Sequence, residues 1–142
     1  MNTFVLDNSV TMRWIFESQK KTDQKYAEFV LESLATSEAL VPNLWALEVV
    51  NVLKNAVSKD ESITKSDAEL FLSSLSTLPI NTDPLTSSKA FNKTFDLAQL
   101  YNLSSYDAAY LELAIREGIP LASIDKDLVK AAKKSGVKIY EG

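Results

Sequence analysis

The sequence predicts an α/β fold, a three-layer α/β/α sandwich around a small, mainly parallel central sheet. Two observations carry this. Short apolar runs of strand length alternate with longer segments whose apolar residues recur every three or four positions, the pattern of βαβ units with helices on both sheet faces. The 142 residues are 46% hydrophobic with only three glycines and four prolines, enough apolar material to bury a core in a single domain spanning 1–142.

Each element has a local reason. Thr3-Phe4-Val5-Leu6 reads as a buried strand stopped by Asp7-Asn8-Ser9, and Asp7 or Asn8 can cap a helix from Val10 to about Phe16. A second helix covers 23–37, with Tyr26, Phe29, Val30, Leu31 and Leu34 at helical spacing. Ala39-Leu40-Val41 is a second strand ended by Pro42-Asn43, and 44–57 is a helix apolar almost all round, which implies burial. Thr64 or Ser66 opens a helix over 65–75, Pro79-Ile80-Asn81-Thr82 is a weak strand, and 87–101 is an amphipathic helix. Ser104 or Ser105 caps a helix ending near Glu117, where Gly118 supplies the stop. A strand over 121–124, a helix over 127–135 and a final strand over 137–140 complete the chain.

Two absences bound the chemistry. With no cysteine there is no disulfide framework, thiolate zinc site or thiol nucleophile, and with no histidine no imidazole base or Ser-His-Asp triad. Catalysis must then use carboxylates, lysine, tyrosine or hydroxyls, or a hard cation held by oxygen. The net charge of −4 argues against broad attraction to nucleic acid, though not against a local site inverted by bound cations. Met1-Asn2-Thr3 runs directly into apolar residues without a basic leader, and no apolar run approaches the ~20 residues of a spanning helix. The expected location is the cytoplasm. With three glycines, neither GxGxxG nor GxxxxGK[ST] is present.

What remains is a set of acids. Asp7 follows the first strand, and Asp125 follows the 121–124 strand with Asp127 two residues on. Asp107 stands three residues after Ser104, where a capping box would place it, yet it leads into Ala108-Ala109-Tyr110-Leu111. Glu48 lies in the apolar helix with Leu44 and Val52 as its neighbours four residues away, and Asn51 and Asn55 share its face. A buried carboxylate there must be protonated, paired across the fold or bound to a metal, and only Arg13 and Arg116 are available as arginine partners. In a parallel sheet, strand ends and the helix starts that follow them share one edge, so these acids converge. Mg²⁺ or Mn²⁺ is the natural counter-charge.

The segments Phe4-Val5-Leu6-Asp7-Asn8-Ser9-Val10, Pro42-x-x-Trp45-x-x-Glu48-Val49-x-Asn51, Leu103-Ser104-x-Tyr106-Asp107-Ala108-x-Tyr110 and Leu121-Ala122-Ser123-x-Asp125-x-Asp127-Leu128 together resemble a PIN-domain ribonuclease. They are most similar to VapC-type toxins of toxin–antitoxin modules, over essentially the whole chain. The resemblance implies that Asp7, Glu48, Asp107 and Asp125 form the acidic quartet for Mg²⁺ or Mn²⁺, with Asp127 sharing or replacing the role of Asp125. Ser9 and Ser123 fall where the family often places a hydroxyl near the metal. The implied activity is endoribonuclease cleavage of RNA phosphodiester bonds by metal-activated water. The implied partners are a small antitoxin and a second copy in a homodimer, contacted through the apolar first helix, with no membrane.

Arg13, Lys126, Lys130, Lys133, Lys134 and Lys138 could meet phosphates, although each also reads as ordinary surface charge. Trp14 with Phe16, and Trp45 near Phe29, read as core or subunit interface rather than base-stacking platforms. The alternative class is a non-catalytic PIN-like interaction domain. A phosphoacceptor receiver is disfavoured because the mid-chain acid, Glu48, lies within a helix instead of at a strand end.

Overall fold

The computed structural model describes residues 2–142; Met1, part of the expected 1–142 domain, lies outside them. The elements run β1 (Thr3–Leu6), α1 (Asn8–Met12), α2 (Lys21–Ser33), β2 (Glu38–Val41), α3 (Trp45–Ser58), α4 (Lys65–Leu75), β3 (Ile80–Thr82) and α5 (Thr86–Lys89). They continue with α6 (Phe95–Tyr101), α7 (Ser105–Glu117), β4 (Leu121–Ala122) and α8 (Lys126–Lys134). Four strands form one parallel sheet in the order β3-β2-β1-β4.

Alternation along β1 builds the layers. Phe4 and Leu6 point to one face, where they join Ala39 and Val41 of β2 against Ala27, Val30 and Leu34 from α2 and its end. Val5 points to the other face, into Tyr110, Leu111 and Leu113 of α7 and Leu128, Ala131 and Ala132 of α8. Phe4, Val5 and Leu6, three of the four β1 residues, are fully buried. A central strand covered on both faces reads as an unbroken apolar run, which is why Phe4-Val5-Leu6 was legible as a strand. A third cluster, Met12, Val49, Leu53, Ala68 and Leu75, ties α1, α3 and α4 together beside the sheet.

The structure departs from the sequence expectations where neighbours override local pattern. The first helix ends at Met12 instead of near Phe16, the chain continuing through turns to Phe16. The second lies at Lys21–Ser33 instead of 23–37. The expected 87–101 helix is broken by one π-helical turn at Ala90–Thr94 between α5 and α6. Strand β4 stops at Ala122 instead of 124, because the amides of Ile124 and Asp125 bond the hydroxyls of Ser9 and Ser123 (3.2 and 3.1 Å) rather than a neighbouring strand. The final strand over 137–140 is a single bridge, Ile139 to Leu121. That segment is held instead by Tyr140, whose ring stacks on Phe4 at 4.0 Å between centroids.

The larger correction concerns α3. It buries Val49, Leu53 and Ala56, but Leu47 is 73% and Val50 48% exposed, so its apolar circumference does not mean burial within this chain. Helix α1 is the converse. Val10, Thr11 and Met12 are buried in the chain's own core, so the first helix spends its apolar side internally. Among the described residues no helix is long and apolar enough to cross a membrane.

Candidate functional site

The strand order places a switch point between β1 and β4. The chain builds outward from β1 to β2 and β3, then crosses over to add β4 on the other side of β1. In such sheets the crevice beyond the carboxyl ends of the two diverging strands is where ligands bind. Leu6 is in register with Ala122, so the next residues, Asp7 and Ser123, meet at the mouth of that crevice.

Asp7 sits at the N-cap position of α1 but caps nothing with its side chain. Its Oδ2 instead accepts hydrogen bonds from Ser9 Oγ at 2.6 Å and Ser123 Oγ at 2.7 Å, and the residue is only 4% exposed. Asp125 does cap, its Oδ1 accepting from the Leu128 amide at 3.0 Å at the start of α8. Asp107 is half of a capping box: its amide donates to Ser104 Oγ at 3.1 Å without the reciprocal bond. The contrast is α4, where Thr64 and Asp67 make both bonds. Glu48 has no ion-pair partner among the described residues, and its Oε1 accepts from Tyr110 Oη at 2.6 Å. Asp127 is exposed on the first turn of α8.

These acids sense one another. Burial pushes the Asp7 carboxyl up to about 6, the charges of Glu48 and Asp125 adding to the rise and the two serine hydroxyls opposing it. Asp107 is also pushed up to about 6, first by burial, then by the charges of Asp7, Asp125 and Asp127. Glu48 is raised by burial, opposed by the Tyr110 hydroxyl and reinforced by Asp107. Asn51, expected to share the Glu48 stripe, is exposed to solvent.

As the side chains stand, no group of three or more acids among the described residues is drawn close around a single cation position. The donor chemistry nonetheless suits a hard cation. Every group is a carboxylate oxygen, the two hydroxyls orient Asp7, and mutual repulsion is what a divalent charge would relieve. Mg²⁺ retains several waters and needs only one or two direct carboxylates.

A pH dependence follows. Both aspartates have folded pKa values near 6, against about 3.9 in an unfolded chain. Above pH 6 the fold carries the full cost of two ionised, crowded carboxyls. As pH falls through 6 toward 4 the folded state takes up protons first, and the cost disappears. Metal-free protein is therefore expected to be more stable at about pH 5 than at about pH 7, with about 1 kcal/mol of the gain from Asp7. Urea midpoints in EDTA measure this; a midpoint that falls on acidification would contradict it.

Two features escaped the sequence reading. Tyr110 is fully buried and anchors Glu48 from 62 residues away, and its place three residues after Asp107 on α7 was the available signal. Arg116, a candidate partner for Glu48, is committed elsewhere. It donates to both carboxyl oxygens of Asp83 (3.0 and 2.7 Å) and both of Glu112 (2.8 and 3.0 Å). The tryptophans are structural: Trp14 Nε1 donates to the Ala27 carbonyl at 2.8 Å and Trp45 Nε1 to Thr11 Oγ1 at 3.1 Å. Phe29 packs on Tyr26 and Tyr140.

The fold is similar to several solved structures. VapBC2 from Rickettsia felis, bound to a DNA fragment from their promoter, superposes with a TM-score of 0.64 at 14% identity over 97% of each chain. PAE2754 from Pyrobaculum aerophilum gives 0.60 at 18% identity, over 92% of this chain and 86% of that one. FitAcB from Neisseria gonorrhoeae gives 0.52 at 15% identity, over 97% of this chain and 96% of that one. No curated protein matches the sequence. Residues 4–134 match the PIN domain family. Over nine-tenths of its length, and in the sheet order that brings Asp7 to Ser123, the chain belongs to the PIN domain family.

Proposed function

We propose that this protein is a metal-dependent endoribonuclease and the toxin of a type II toxin–antitoxin pair, acting in the cytoplasm as a single domain. The observation that supports the reading is the buried Asp7 carboxylate at the switch point, held by Ser9 and Ser123 and without a cation partner among the described residues. The charges of Glu48, Asp107 and Asp125 act on it or on one another. PIN domains are generally nucleases that use divalent metals, and nothing in a fold scaffold requires uncompensated acids at one edge.

Asp7, Asp107 and Asp125 would hold Mg²⁺ or Mn²⁺, with Glu48 and Asp127 completing the acidic shell. A divalent cation bound there lowers the pKa of a water and offsets charge on a phosphodiester. The chain's own groups do the rest. Ser9 and Ser123 fix the rotamer of Asp7. Tyr110 holds Glu48, whose raised proton affinity suits it to take a proton from attacking water. The water oxygen then bonds phosphorus as the P–O bond to the ester oxygen breaks, and that departing oxygen takes a proton from solvent.

The sequence resemblance to VapC-type toxins and the likeness in fold to VapBC2 support a small antitoxin partner. The exposed apolar residues of α3 and α4, Leu47, Val50, Leu70 and Leu72, offer a surface for that partner or for a homodimer.

Purified protein is expected to cleave a structured RNA with Mn²⁺ or Mg²⁺, to stop on addition of EDTA, and to lose activity in Asp107→Asn. Full activity in Asp107→Asn would sink the assignment. A failure to cut any RNA would favour the non-catalytic interaction domain.

A further inference from the structure

We propose that the concavity between the end of α6 and the outer face of α8 is a subsite for the phosphodiester backbone of single-stranded RNA, seated by Lys130 and Lys134. It rests on the ribonuclease reading above and names where the strand runs once it leaves the acids.

The concavity has a volume of about 280 Å³ and is lined by Tyr101, Asn102, Asp127, Lys130 and Lys134, among others. Asp127 belongs to both places: it lines this hollow, and its charge reaches Asp107. The hollow therefore lies within electrostatic reach of Asp107 and against α8, the helix whose N-cap is Asp125. Its size falls just below that of small-ligand pockets (about 300–1,000 Å³), which suits one nucleotide unit and not a duplex.

Helix α8 explains the lysines. Its buried residues are Leu128, Ala131 and Ala132, so Lys126, Lys130, Lys133 and Lys134 are turned outward. Lys130 and Lys134, four residues apart, share a face and are separated by about 6 Å along the axis, one step of an extended strand. Among the described residues neither forms an ion pair; Lys20 is the lysine that does. The helix dipole accounts for cations in the last turn, Lys133 and Lys134, but not for Lys130 in the middle. Asn102, in the left-handed conformation at φ 53°, turns the chain from α6 into α7 and adds an amide able to donate and accept at the rim. A chain of net charge −4 needs such a local basic track to bring RNA to its acids.

The test is binding of a fluorescein-labelled, short single-stranded oligoribonucleotide of mixed sequence to Asp107→Asn protein across a KCl series with Mg²⁺. Lys130→Ala/Lys134→Ala in that background is expected to weaken binding about 10-fold and to lower the salt slope by about 1.4, two single-strand phosphate contacts. Lys21→Ala/Lys25→Ala on α2 makes the same charge change and is expected to leave the slope unaltered. In the active chain the Lys130/Lys134 pair should raise KM and leave kcat unchanged. An unchanged slope with RNA still bound and cut overturns the subsite and leaves the ribonuclease reading standing. Equal losses in both lysine pairs overturn it in favour of diffuse charge. No binding and no cleavage by the unmodified protein overturns both.

Discussion

Asp7→Asn is expected to abolish RNA cleavage while making the metal-free protein more stable. The two effects have one origin. Asp7 is almost wholly buried with its carboxyl pushed up to about 6, so at neutral pH the fold holds a charge it would shed if it could. Asparagine has nearly the same shape, and its oxygen can still accept from Ser9 and Ser123. The substitution removes repulsion from Glu48 and Asp125 and leaves no charge to desolvate. A gain of about 1–3 kcal/mol in EDTA at neutral pH is expected, the upper end being the full two-unit shift. Cleavage with Mn²⁺ should fall by about 10²–10⁴-fold, the contribution of a positioned acid–base or ligand group. A purely structural aspartate would behave in the opposite way, losing stability and sparing activity. That outcome, read from urea melts and a cleavage assay on one preparation, would remove Asp7 from the site.

The largest effect on folding is expected at Arg116. Its guanidinium, 17% exposed, makes four hydrogen bonds to Asp83 and Glu112, each 5% exposed in its side chain. Burial alone would push Asp83 up, but the Arg116 contacts hold its carboxyl below the ordinary value. Asp83 also accepts from Thr86 Oγ1 at 3.1 Å, and Thr86 in turn accepts from the Asn43 amide at 3.1 Å. One side chain thereby joins α7, the end of β3 and the loop that launches α3. Arg116→Ala leaves two carboxylates buried without a cation and should destabilise by about 3–5 kcal/mol. The triple variant Asp83→Asn/Arg116→Met/Glu112→Gln, which removes the charges together, should recover most of that loss. Equilibrium urea denaturation decides it, and a cost below about 1 kcal/mol for Arg116→Ala would show the triad to be solvated in solution.

Local pattern carried much of the architecture. Strands β1 and β2 and helix α4 fall where apolar runs and the Thr64 cap put them, because those signals lie within a few residues of the element. The misplaced pieces depend on distant neighbours. The π-helical turn at Ala90–Thr94 has no periodicity signature, and the end of β4 depends on Ser9, more than 110 residues earlier. The exposed side of α3 was misread because an apolar circumference records that contacts are wanted, and not which chain supplies them. The bonds of Asp7 to Ser123 and Glu48 to Tyr110 span 116 and 62 residues, so no local reading could pair them.

The sequence by itself determined the available chemistry and the class of fold. Without histidine or cysteine, any hydrolysis here falls to carboxylates, lysine, tyrosine or hydroxyls, or to a hard cation held by oxygen, and alternating strand and helix periods admit little besides a parallel α/β sheet. Only the tertiary structure decided which partner each acid finds. Residue spacing along a chain does not say which strands are neighbours. The order β3-β2-β1-β4 set Asp7 beside Ser123, and the packing around it brought Asp83 to Arg116 and Glu48 to a tyrosine.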